Sequence, residues 1–177
     1  YLRHEEMITE LGLPNLPLLM TEYGLRVGIG DAGRPTNLQN ASGEIAGMII
    51  GSHCSNLKMF PWCTFHNPNQ QIGRTMFILN NENKYIPTPS GHVMTMFKML
   101  GSHELMIDEY LENTAVATIK DDKICILASN PKKEADKLFI LLNNLDNKSY
   151  ELVEYMVDKN TNNCLTDPTC HFLEVTE

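Results

Sequence analysis

The residue best placed to do chemistry in this chain is a single carboxylate. Glu22 ends the apolar part of Pro17-Leu18-Leu19-Met20-Thr21-Glu22-Tyr23-Gly24. Three consecutive apolar residues suit a strand buried on both faces, and Gly24 opens a Gly-rich loop. A carboxylate at the C-terminal end of a parallel strand occupies the position where barrel enzymes keep their catalytic groups. The plain alternative is an ordinary strand-end residue on a solvated rim. Other reactive side chains are less organised. The six His are scattered, and no C-x-x-C or H-E-x-x-H occurs, so the expectation is no metal and no cofactor. Cys54, Cys63 and Cys125 lie in apolar segments as small core residues. Cys164 and Cys170 flank a Pro-containing loop and could pair in an oxidising compartment. Gly28-Ile29-Gly30-Asp31-Ala32-Gly33 superficially resembles a dinucleotide fingerprint, but Arg34-Pro35 follow it and no helix opens there. Asn40-Ala41-Ser42 and Asn147-Lys148-Ser149 are weak glycosylation sequons.

The elements that must position Glu22 come next. Residues 2 to 12 predict a helix with Leu2, Met7, Ile8 and Leu11 on its apolar side, Gly12 as C-cap and Pro14 as a stop. The strand at 17 to 22 follows. Residues 24 to 41 signal no regular element and form a long polar loop at the strand's exit, a place where function concentrates. Residues 42 to 55 predict a helix, with Ser42 as N-cap and Ile45, Met48 and Ile49 inward. Leu57 to Phe65 predict an aromatic-rich strand that carries Trp62, the chain's one Trp. Strand, loop, helix, strand implies a parallel pair with a helical crossover.

Residues 66 to 92 read as loop, with a short apolar insert at 75 to 79, and an apolar helix spans about 91 to 101. Its methionines suit core filling rather than sulfur ligation. Beyond about residue 105 the pattern changes. Residues 115–119 and 124–128 predict a hairpin turning at Asp121-Asp122, and further strands are expected at 138–142, 150–157 and 171–176. Short strands joined by polar turns suggest a small antiparallel β-sandwich. The expected organisation is α/β plus β, with a first part at 1–105 and a second at 106–177.

Composition narrows the function classes. The chain has 177 residues and is 42% hydrophobic and 20% charged, which fits one globular domain or one domain plus a small one. A net charge of -8 and the lack of a dense Lys/Arg cluster argue against nucleic acid. Aromatics at 7% give no stacking platform for single strands. No apolar run approaches the roughly 20 residues of a membrane helix. Tyr1 to Glu6 carry neither a basic n-region nor an apolar core, so localisation is not legible there.

The order of these parts resembles the C-terminal third of a retaining glycoside hydrolase of the large (β/α)8 clan. Within it the chain looks most like glycoside hydrolase family thirty-nine, which holds β-xylosidases and α-L-iduronidase. Leu18-Leu19-Met20-Thr21-Glu22-Tyr23 is similar to the family's seventh strand, whose Glu is the nucleophile. Met59-Phe60-Pro61-Trp62-Cys63-Thr64-Phe65 is similar to the eighth strand, whose Trp floors the sugar subsite. Tyr150 to Asn162 resembles a sandwich strand ending in Y-x-I-D-x-x-x-S-N. Tyr23 stands where Trp is commoner, and His66-Asn67-Pro68-Asn69-Gln70 replace an acidic cluster. These departures bear on family and substrate more than on clan.

The resemblance implies the last strands and helices of a (β/α)8 TIM barrel followed by a β-sandwich. It implies hydrolysis of an O-glycosidic bond by double displacement, which needs two carboxyl groups about 5–5.5 Å apart. Glu22 would attack the anomeric carbon. Tyr23 or Trp62 would stack on the sugar ring, His66 and Asn67 would bond its hydroxyls, and Arg26 or Arg34 would help keep Glu22 ionised. The acid/base, a Glu after Asn on the fourth strand, has no counterpart here: Asn81-Glu82 lies in a loop. Two strands do not close a barrel. The expectation is a fragment that is inactive alone, with a carbohydrate substrate and the missing N-terminal part of the barrel as partners, in a secreted or lysosome-like compartment. The competing reading is a non-catalytic module whose sandwich and aromatic strand bind carbohydrate or dock another domain.

Overall fold

The computed structural model describes residues 2–13, 16–24, 36–54, 56–62, 64–65, 73–107, 114–130 and 137–166. Helix α1 (Leu2–Glu10) ends as its sequence predicts. Gly12 adopts the left-handed region (φ +74), and its N–H donates to Thr9 O while Leu13 N–H donates to Ile8 O. This paired arrangement closes the carbonyls that a helix end leaves open.

Strand β1 (Leu18–Tyr23) and strand β2 (Leu57–Pro61) form the expected parallel pair, joined through helix α2 (Asn37–Ser52). Leu18 pairs with Leu57 and Met20 with Met59, but the next pair is Tyr23 with Pro61. Three steps on β1 match two on β2, so Thr21–Glu22 carry a bulge. Bulges re-aim side chains and are over-represented beside active sites. Here the extra residue brings Tyr23 to the face of Leu18 and Met20, towards α2. Helix α2 starts five residues before the predicted Ser42. Thr36, not Ser42, is its N-cap: Thr36 Oγ1 accepts from Gln39 N, and Gln39 Oε1 accepts from Thr36 N at 2.8 Å. The reciprocal capping box stabilises the first turn and makes a helix of residues that look loop-like by polarity.

The stretch expected to be mostly loop contains a hairpin. Strand β3 (Phe77–Leu79) pairs antiparallel with strand β4 (Tyr85–Pro87). Asn80 Oδ1 closes the connection by accepting from Glu82 N and Lys84 N. Helix α3 (Pro89–Met99) then starts at Thr88, whose side chain caps Gly91 N, with Pro at the first helical position where no N–H is needed.

Strands β5 (His103–Leu105), β6 (Ala115–Lys120) and β7 (Lys123–Ala128) form one antiparallel sheet in that order. Asp121 and Asp122 turn β6 into β7 as predicted, both left-handed at φ +48 and +61. Two such residues make the primed turn whose twist matches a two-residue hairpin, and glycine suits its second position best. Asp122→Gly is therefore expected to stabilise the protein by about 0.5–1 kcal/mol. A higher denaturant midpoint at unchanged slope would show it.

One hydrophobic core joins these parts. Ala41, Ile45 and Ile49 make a stripe along α2 and meet Val93 of α3, Val116 of β6 and Leu127 of β7. Met48, Met94 and Met96 fill in around them, as expected of core methionines. The boundary placed after residue 105 runs between β5 and β6, which are hydrogen-bonded to each other.

Two predicted strands do not form. Residues 138–142 and 150–157 form no strand, apart from a single bridge residue at Glu154. Most of their apolar side chains stay in solvent, Phe139 at 87% and Leu141 at 83% exposure. A strand needs a paired neighbour, and none of the described residues supplies one here. Among the described residues, the expected sandwich is represented by the β5–β6–β7 sheet alone; 171–176 lie outside them. Near the end of the described tail, Cys164 Sγ donates to Pro87 O at 2.8 Å. Cys170, with which it could pair in an oxidising compartment, lies outside the described residues.

Candidate functional site

The C-terminal ends of β1 and β2 bring Glu22, Tyr23 and Trp62 to one rim. Trp62 N donates to Tyr23 O at 2.7 Å, which ties the two aromatic positions together. A Cβ on Gly24 would meet Trp62 O at 3.4 Å and Asn40 Oδ1 at 3.8 Å, so the chain leaves β1 between Trp62 and α2. Glu22 sits in the bulge and is exposed. Tyr23 is half-buried, and its ring rests on α2 at Gly47, where an added Cβ would lie 3.4 Å from Tyr23 Cε2. Trp62 is 39% exposed, which leaves it as the more open aromatic of the two. His66, Asn67, Arg26 and Arg34 lie outside the described residues, as does the rejected Gly28–Gly33 fingerprint.

One face of the parallel pair is covered and the other is not. Leu18, Met20, Leu57 and Met59 are half-buried, and α2 lies against Leu57 and Met59 at Gly51. Between them Leu19 is 60% and Phe60 52% exposed. Side chains alternate covered and uncovered along both strands, and the open face carries Leu19, Lys58 and Phe60.

Beneath the rim lies a buried polar cluster. Asn37, Asn40 and Glu44 point from α2 into the contact with α3, and all are at most 4% exposed. Asn37 Nδ2 donates to Thr75 O at 2.9 Å, and Asn37 Oδ1 accepts from Ser90 N at 2.9 Å. Thr88 Oγ1 donates to the same Thr75 carbonyl at 2.6 Å. Asn40 Nδ2 donates to both Glu44 Oε1, at 2.8 Å, and Ser90 Oγ, at 3.1 Å. These bonds lock α2, α3 and the approach to β3 in one arrangement, because a buried polar group left without a partner is costly.

Burial pushes the Glu44 carboxyl up to about 8, against the pull of the Asn40 hydrogen bond and of the nearby Ser90 hydroxyl. Its carboxyl is therefore protonated at neutral pH. Burial also raises the Tyr23 hydroxyl well above its usual range, with a further contribution from the Glu44 charge. Burial lowers the His92 imidazole to about 4, so it stays neutral at pH 7.

Reading α2 from Ser42 hid this cluster in the sequence. Thr36-x-x-Gln39 is a capping-box pattern, and Asn37, Asn40 and Glu44 fall on one helical face once the helix starts there. The same cluster removes one sequon: Asn40 is fully buried and cannot accept a glycan in the folded chain. No group of three or more His, Cys, Asp or Glu that could hold a metal ion occurs among the described residues. No helix of theirs is long and apolar enough to cross a membrane. No protein family, curated protein or solved structure matches the chain.

Proposed function

We propose that this chain contributes the last two strands of a (β/α)8 retaining glycosidase, with Glu22 as its nucleophile. One observation carries the reading: a bulged parallel strand end holds an exposed carboxylate beside two hydrogen-bonded aromatic positions, Tyr23 and Trp62. The parallel pair with its crossover helix is the unit from which such barrels are built, and their catalytic groups sit at this end of the strands. The uncovered face with Leu19 and Phe60 fits a sheet that the rest of a barrel would complete.

In this reading the Glu22 carboxylate attacks the anomeric carbon, and the bond to the leaving oxygen breaks as a second carboxyl protonates it. Water, deprotonated by that second group, then releases the sugar from Glu22. The second group belongs to the part of the barrel outside this chain. Trp62 offers an aromatic face to the sugar's C–H face, whereas the Tyr23 ring is engaged by α2. The described part of 106–177 braces the helices through Val116 and Leu127.

A 2-deoxy-2-fluoro glycoside incubated with the protein bearing the complete barrel is expected to leave a stable glycosyl ester on Glu22, located by mass spectrometry of the peptide. A label on another residue would refute the assignment. The exposed Phe60 and Trp62 would equally suit a module that binds carbohydrate without cleaving it. Sugar binding with no label from any fluoroglycoside would favour that second reading.

A further inference from the structure

Glu44 is a carboxyl sealed from solvent with half of its hydrogen-bonding capacity unused. It is 0% exposed. Oε1 accepts from Asn40 Nδ2, while Oε2 has no hydrogen-bond partner among the described residues. The walls on the α2 and α3 side are fixed by the Asn37, Asn40, Thr75, Thr88 and Ser90 bonds. Tyr23 also lies within electrostatic reach of Glu44, and its half-buried ring rests on Gly47, one helical turn beyond Glu44.

We infer that Glu44 is the proton-holding element of a buried switch beneath the rim that carries Glu22, Tyr23 and Trp62. Protonated, it lets the Tyr23 ring close over α2. When the proton leaves to solvent, the carboxylate drives that ring outward to gain water. The Tyr23–Trp62 backbone hydrogen bond carries the movement to the neighbouring strand end. The cause is the cost of an ionised carboxylate held without a full set of donors in an apolar surround. Shifting one half-buried ring hydrates it more cheaply than breaking the network that joins the helices.

Burial, Asn40 and Ser90 set the proton affinity of Glu44, and none of these is a charged group. His92 of α3 is neutral throughout, since burial holds its imidazole near 4. Lys58 of β2 is exposed. Lys120 of β6 is bound to Lys98 O of α3 at 3.0 Å. Arg74, beside Thr75, is the charged residue of the segment leading into β3.

The sign follows from the direction of the shift. Glu44 is raised from 4.5 to about 8, so between those values the folded chain holds a proton that the unfolded chain has released. The stabilisation is fully present below about 4.5 and is lost as pH rises through about 8.

The inference does not depend on the glycosidase reading, since neither test uses a substrate. With ¹³C-carboxyl glutamate in the intact protein, one glutamate carboxyl is expected to titrate near 8. That resonance should be missing from Glu44→Gln. In Ser90→Ala it should titrate at still higher pH, because the nearby hydroxyl that favours the charged form is gone. The environment of a ¹⁹F-tryptophan at position 62 should change over the same pH range in the wild type and stay constant in Glu44→Gln. The inference is overturned if no glutamate titrates above the ordinary carboxylate range, or if the Trp62 change persists in Glu44→Gln. Should Glu44→Gln fail to fold, the wild-type and Ser90→Ala titrations decide.

Discussion

On the proposed glycosidase reading, Glu22→Ala, made in a protein with the complete barrel, is expected to lower kcat/KM by on the order of 10⁴- to 10⁶-fold, the scale seen when a covalent nucleophile is removed. The loss should fall on chemistry, not on folding. Glu22 is exposed in a bulge, and exposed substitutions usually change stability by less than about 0.5 kcal/mol. Added azide provides a diagnostic readout. It fits the space the carboxylate leaves, and it attacks the anomeric carbon from the same side, giving a glycosyl azide of inverted configuration. A variant that keeps activity within about tenfold of the wild type would remove Glu22 from the mechanism. So would a variant with lost activity that azide does not restore, together with a rescued variant at another carboxylate.

Gly91→Ala is expected to cause the largest loss of stability of any substitution considered, at least about 3 kcal/mol. An added Cβ would lie 2.2 Å from Met76 O, 3.2 Å from Met76 C and 3.0 Å from Pro87 Cβ. Two of those atoms are backbone, so no rotamer change relieves the clash. Met76 O already accepts from Thr88 N at 2.9 Å. Moving it would disturb the first turn of α3, where Pro89 to Val93 are all buried. The displaced turn carries Ser90, which holds Asn37 and Asn40. Urea unfolding monitored by circular dichroism measures the effect. A midpoint shift worth less than about 0.5 kcal/mol would show that the strand approach yields easily.

Much of the first part was legible because its signals are local. Gly12 followed by Pro14 announces the end of α1, and Asp121-Asp122 announces the β6–β7 turn. An apolar run, a helix and a second apolar run announce the parallel pair. The bulge at Thr21–Glu22 left no trace in composition, since it depends on how β1 registers against β2. The buried cluster was hidden for a different reason. Asn37, Asn40 and Glu44 are polar, and hydropathy assigns such residues to the surface unless their partners are known. Those partners, Thr75, Thr88 and Ser90, lie 38 to 53 residues away along the chain in their hydrogen bonds to Asn37 and Asn40 or join the cluster through the Thr75 carbonyl. The segment at 138–142 failed the other way. Leu138 to Leu142 have the residue types of a strand, but a strand is made by its neighbour as much as by its own side chains.

The shared core has a mechanical meaning. Ala41, Ile45 and Ile49 are clamped between Val93 and the Val116–Leu127 pair, and the same helix carries Gly47 beneath the Tyr23 ring. The antiparallel sheet therefore serves as the anvil against which α2 is held while it supports the rim. A methyl group removed from Val116 or Leu127 would loosen that support from behind, without touching any residue at the strand ends. The rim's geometry is thus set from the side of the helix opposite to the one that faces it.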